Sequence, residues 1–237
     1  LWQPVLKQMM HPMALLARKI DPTRIILDES GGFADGANFY LPYQNTATKF
    51  NDIHNYPGWR VFENWISAFE GVGLDEEEKK SRNLPMKGPG NNVVPGLPVF
   101  LSEIGYGSIP DFQKTNTIFK QQGNPLTATY RDHLELEKAY NQALTESGFN
   151  KQYRTVSELA TLQHNFHGRL NRRMLEGARI NPLLSGYCVH ALCGGDWVLG
   201  AGLIDIWRNP KGAVYTETAK ANQERILVMR ANPRNLY

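Results

Sequence analysis

Apolar and polar positions along the chain fall into blocks whose period changes. Between Val5 and Ile20, the residues Val5, Met9, Met13, Leu16 and Ile20 recur at spacings of three and four, the stripe of an amphipathic helix that Pro12 is expected to kink. Asp21, Pro22 and Thr23 end that helix. Arg24 to Leu27 then forms a short apolar run before Asp28, Glu29, Ser30, Gly31 and Gly32, the pattern of a buried strand running out into a polar loop. The unit recurs. Residues 51 to 56 read as a short strand ending in Asp52-Ile53-His54-Asn55-Tyr56-Pro57-Gly58, with a helix from Trp59 to Phe69. Residues 75 to 96 are charged and rich in Pro and Gly, a solvated excursion on which Glu76, Glu77 and Glu78 face water rather than a metal. Leu97 to Leu101 is a strand that ends in Ser102-Glu103-Ile104-Gly105-Tyr106-Gly107. Of the helices that follow, the clearest starts with Thr155 and Glu158 in capping-box spacing. It carries Leu159, Leu162, Phe166, Leu170 and Met174 on one face and stops at Asn181-Pro182. A last strand, Ser185 to Leu192, leads through a Gly-rich loop to Gly202-Leu203-Ile204-Asp205.

Strand, polar loop and helix in repetition are the signature of a parallel α/β fold. Ionisable residues gather just after each strand, the end where open sheets and barrels both keep their active sites. The chain has no Gly-rich dinucleotide fingerprint and no phosphate loop, which removes the commonest reason for an open nucleotide-binding sheet. The pattern therefore favours a (β/α)8 TIM barrel. Four strand-helix units are visible, near residues 24, 52, 98 and 186, whereas closure takes eight. The sequence opens at Leu1 without an initiator Met or a leader, and the expectation is that the other half lies upstream. Residues 1–221 then form the C-terminal half of a TIM-barrel catalytic domain. Residues 222–237, with Ile226-Leu227-Val228 and Asn232-Pro233-Arg234-Asn235, form a linker or the start of a following β-sandwich domain. Half a barrel exposes strand edges and core, so the expected protein partner is the remainder of the same barrel.

Composition narrows the classes. With 41% hydrophobic and 21% charged residues and a mean hydropathy of -0.44, the 237-residue chain reads as soluble and globular, and no apolar run approaches a membrane span. A net charge of +3 with scattered basic residues argues against nucleic acid, and Arg169, Arg172 and Arg173 read as a solvated helix face. Cys188 and Cys193 lack zinc or disulfide spacing and read as buried free thiols. His164 and His167 flank Phe166 on a core helix and read as packing rather than as a metal pair. No cofactor or metal is expected.

Glu103 is the carboxylate that stands out. It ends a buried strand and is followed by Gly-Tyr-Gly rather than by helix formers; the alternative is a glutamate that caps the next helix. The stretch Val99 to Gly105 resembles the Ser-Glu-(aromatic or aliphatic)-Gly motif at the end of the seventh barrel strand in glycoside hydrolase family 2, which includes β-galactosidases, β-glucuronidases and β-mannosidases. Asp21-Pro22-Thr23-Arg24 resembles the turn entering that family's fifth strand, and Asp52 to Gly58 its sixth-strand segment with His and Tyr. Gly202 to Lys211 resembles its closing Gly-Leu-Ile-Asp followed by Arg-x-Pro-Lys. The resemblance runs over roughly residues 5 to 220, through motifs that are individually short but fall in the family's order.

The resemblance implies a clan A barrel that hydrolyses a terminal β-linked sugar with retention and without a cofactor. Such a reaction needs two carboxyl groups roughly 5–5.5 Å apart, one attacking the anomeric carbon and the other serving as acid and then base. By its motif Glu103 is the nucleophile, which must be ionised and is served by neighbouring hydrogen-bond donors. His54 and Tyr56 are those donors by family position, or else pack structurally beneath the site. The family's acid/base sits in an Asn-Glu pair after the fourth strand. Only Gln3 stands near that spacing here, and an amide supplies no proton. The expectation is a glutamate before Leu1; the alternative is a catalytically inactive carbohydrate-binding relic. Glu29 makes a polar substrate contact or belongs to its loop, and Tyr106 is a further substrate-binding candidate. His190 stands where many relatives place Trp, followed by Asp196 and Trp197; Trp197 stacks on a pyranose face or packs in the core. Asn209-Pro210-Lys211 resembles an Asn-x-Lys uronate reader but fits the generic barrel-end motif better. A third reading is an unrelated α/β enzyme that shares short motifs.

Overall fold

Capping residues set the helix boundaries. The structure, a computed structural model, describes residues 4–27, 30, 50–56, 65–88, 93–194 and 200–230. Helix α1 spans Pro4–Ile20 and continues through Pro12. Its apolar stripe is open, with Met9, Met13, Leu16 and Ile20 all exposed. Strand β1 (Asn51–Asn55) is followed by α2 (Trp65–Glu70) and α3 (Glu76–Ser81). Helix α3 lies inside the segment expected to be a loop. Asp75 accepts from Glu78 N at 2.8 Å, closing a capping box that turns the acidic trio into a helix start favoured by the macrodipole. Strand β2 (Val99–Ile104) leads to α4 (Phe112–Gln121), α5 (Ala128–Glu146), a 3-10 turn (Phe149–Lys151) and α6 (Val156–Arg179). Thr155 caps α6, accepting from Glu158 N at 3.2 Å. Strand β3 (Leu184–Val189) and α7 (Ala213–Ala221) complete the order.

The fold is mixed α/β, with β1, β2 and β3 forming a parallel sheet in chain order. The connections run through helices, as parallel neighbours require. The expected strand at residues 24–27 is not seen. Residues 25–27 belong to no strand, and Ile25 and Leu27 are exposed; three apolar residues in a row do not distinguish a strand from an extended connector. The described residues thus contain an arc of three parallel strands and not a closed barrel. Of the helix expected from Trp59 to Phe69, residues 59–64 lie outside the described ones, and α2 occupies the rest.

One face of the sheet carries the core. Ile53, Val99, Leu101 and Ile104 pack with Trp65 and Phe69 of α2 and with Leu170, Met174, Leu175 and Ala178 of α6, each large side chain contributing about 1.5–3 kcal/mol on burial. The apolar face expected along α6 divides. Leu170 and Met174 are buried, whereas Leu162 and Phe166 are substantially exposed. In the first half of α6 the buried residues are Val156, Ala160 and His167, the stripe that meets the neighbouring helices and loops. Arg172 is not merely solvated: it lies 2.6 Å from Glu176 and 2.9 Å from Glu217, tying α6 to α7. Cys188 is exposed and Cys193 partly so, against the expectation of buried thiols, because the outer side of β3 at Ser185 and Cys188 is uncovered. No described helix is long and apolar enough to cross a membrane.

Candidate active site

Position 103 is aimed by an irregularity in β2. The buried residues of this strand are Val99, Leu101 and Ile104, whereas strict alternation would place residue 103 on the side of Val99 and Leu101. The pairing explains the change. Asp52 faces Phe100 and His54 faces Glu103, so two steps along β1 oppose three along β2. Leu101 faces Tyr187 and Ile104 faces Val189, the same mismatch on the other side. Strand β2 therefore holds one residue more than β1, and locally one more than β3 between Leu101 and Ile104, offset by an extra β3 residue between Leu184 and Gly186; the first is a bulge of the kind that re-aims a side chain near a functional site. It returns Ile104 to the core and turns Glu103 onto the opposite face, at the C-terminal end of the strand.

Three side chains converge on the Glu103 carboxylate. His54, brought alongside by the register, places Nδ1 2.8 Å from Oε2, while His190, just beyond β3, places Nε2 3.7 Å from Oε1. Tyr56 sets its hydroxyl near the same carboxylate: burial first, then the hydrogen-bonding pull and charge of Glu103, push the phenol well above its ordinary value, so at neutral pH it keeps its proton. The Tyr56 and His190 rings meet edge to face at 5.8 Å. His190 N donates to Ile104 O at 2.8 Å, and a Cβ on Gly105 would run into the His190 carbonyl oxygen. Glycine at 105 thus lets the end of β3 approach closely enough to deliver His190.

The remaining expected site residues divide. Glu29, Asp196 and Trp197 lie outside the described residues. Tyr106 is not gathered with the others around Glu103: its ring packs against the core and meets His167 edge-on at 6.0 Å, and its backbone N donates to Asn171 Oδ1 at 3.1 Å. Two residues with no place in the sequence reading support the site. Ser30 Oγ lies 3.1 Å from His54 Nε2, the nitrogen left over once Nδ1 faces the carboxylate. Asn171, 2% exposed, holds the loop after Glu103; a polar residue within the apolar stripe of α6 was the available signal.

A second polar group lies beyond that loop. Ser108 Oγ is 2.9 Å from His167 Nδ1 and accepts from Lys211 Nζ at 3.4 Å. Burial, then the nearby Lys211 and His164 charges, push His167 down to about 3. Burial pulls Lys211 down to about 8, against the opposing pull of Asp205 and Cys193. Burial first and the Lys211 charge second also lower His164, whose Nε2 donates to Ile109 O at 2.9 Å. Among the described residues no three His, Cys, Asp or Glu side chains are grouped to hold a metal ion.

Fold and site together define a parallel α/β protein that presents one carboxylate among three donors at the C-terminal ends of its strands. No protein-family model and no curated protein matches the chain.

Proposed function

We propose that the protein is a retaining exo-β-glycosidase of the glycoside hydrolase family 2 type, with Glu103 as its nucleophile. The observation that carries this reading is the Glu103 carboxylate, turned off the core by the β2 bulge, met at 2.8 Å by His54 and flanked by Tyr56 and His190. All three neighbours can donate to a carboxylate, and none supplies the second carboxylic acid the reaction needs. Glu103 attacks the anomeric carbon as the glycosidic oxygen leaves with a proton. The resulting glycosyl ester is then hydrolysed by water, and two inversions give retention. The second carboxylic acid is assigned to the remainder of a TIM barrel. Support for that partner comes from the strand order, which runs β1-β2-β3 without the reversal that marks a doubly wound sheet, and from the open apolar stripe of α1.

The test uses Glu103→Gly and an aryl β-glycoside. Hydrolysis is expected to fall on the order of 10⁴-fold. Added azide is expected to restore aryl release and to yield the α-glycosyl azide, because a small anion entering the vacated space inverts the centre once. Full hydrolysis by the variant, or a β-azide product, would overturn the reading.

A further inference from the structure

A cavity separate from the Glu103 cluster has Lys211 in its wall. It measures about 220 Å³ and is walled by α4, α5, α6 and the segment 201–213, with none of Glu103, His54, Tyr56 or His190 in its lining. That volume lies below the range of pockets for drug-sized ligands and holds a small molecule. Lys211 is 7% exposed, and among the described residues its Nζ makes two long contacts, to Ala201 O at 3.3 Å and Ser108 Oγ at 3.4 Å. Among the described residues no carboxylate pairs with it. A buried ammonium without an anion is an expensive arrangement unless something else supplies the charge.

The carboxylates in the same wall are already engaged. Asp205 Oδ1 accepts from Trp207 N at 2.9 Å and Asn209 N at 2.8 Å, and its Oδ2 lies 3.6 Å from Lys114 Nζ. Asp111 Oδ1 accepts from Lys114 N at 3.0 Å and from Ser157 Oγ. The wall therefore asks for one negative charge.

We propose that this cavity binds a small monocarboxylate, its carboxylate on Lys211 Nζ. A single uncompensated ammonium matches a monoanion better than a phosphate dianion. The inference does not depend on the glycosidase reading, since it shares no residue with Glu103 and its ligands.

The experiment is a calorimetric titration of the protein at neutral pH with D-glycerate, acetate, glycerol and inorganic phosphate. Glycerate and acetate are expected to bind saturably and glycerol not at all. Lys211→Met is expected to weaken glycerate at least tenfold, on the order of one charge-assisted hydrogen bond. Lys80→Met, at an exposed cation paired with Glu76 and outside the cavity, should change it less than about twofold. Loss of an unpaired buried charge leaves Lys211→Met folded, which a denaturant midpoint verifies. No saturable glycerate binding, equal binding of phosphate, or an unchanged affinity in Lys211→Met would overturn the proposal.

Discussion

The carboxylate of Glu103 and the ammonium of Lys211 lie on either side of the loop that follows β2, and their surroundings are opposite. Glu103 is about one-third exposed, at 31%, and is met by His54 with Tyr56 and His190 close by. Lys211 is buried at 7% and has two long contacts and no counter-ion among the described residues. A half-exposed charge with converging donors is oriented at little desolvation cost, and this suits a group that must reach a substrate. A buried charge left short of partners burdens the fold instead. The difference teaches that the first cluster is arranged around one side chain, whereas the second is arranged around an empty space.

The largest effect expected from this contrast is on acid stability. His167 belongs to the Lys211 side, and its folded value of about 3 lies below the ordinary 6.5. The unfolded chain therefore binds a proton that the folded one refuses between those values. Stability is fully present above about pH 6.5 and is lost as pH falls toward 3, by up to about 5 kcal/mol. Denaturant midpoints across that range check this, and His167→Gln should flatten the slope. An unchanged slope in the variant would move the acid sensitivity elsewhere.

Next in size is Lys211 itself. Its value is depressed from 10.5 to about 8, so stability rises with pH between those values, and below about 8 the buried ammonium weighs on the fold. Lys211→Met is expected to raise the unfolding free energy at pH 7 by up to about 3 kcal/mol, with the gain shrinking as pH climbs through 8 to 10.5. A destabilised variant would mean that Lys211 has a counter-charge. The smallest effect falls on the Glu103 side. Gly105→Ala forces the His190 carbonyl away and is expected to cost about 1–3 kcal/mol in the denaturant midpoint. It should also displace the His190 ring resonances while leaving those of His167 in place.

Local chemistry was readable from the sequence, and register was not. The start of α6 at Thr155 and its stop before Asn181 follow from capping and from the residues that bar continuation. The apolar runs over 97–101 and 185–192 announced β2 and β3, and Glu103 at the end of the first was visible as a candidate. Its direction was not visible, because the bulge exists only as a mismatch between β2 and two partner strands distant in sequence. The convergence of His54, Tyr56 and His190 depends on the same pairing. Leu162 and Phe166 were misassigned to the core because the stripe of α6 shifts where its neighbours change from helices to the sheet. The run Arg24 to Leu27 was too short to carry its assignment, and Cys188 was read from apolar neighbours that face the other way. Lys211 looked like a motif residue; the burial that defines it comes from segments around Ser108 and Ala201, neither of which its own sequence predicts.

The central claim is that Glu103 is a nucleophile. The direct measurement is incubation of the protein with 2-deoxy-2-fluoro-β-glycosyl fluorides of the gluco, galacto and manno series, followed by intact mass and peptide mapping. Fluoride departs with little acid assistance, and the 2-fluoro group slows hydrolysis of the ester. The account predicts a gain of one fluoroglycosyl unit on the peptide that contains Glu103, absent in Glu103→Gln. An unlabelled protein, or a label on another carboxylate, would contradict it.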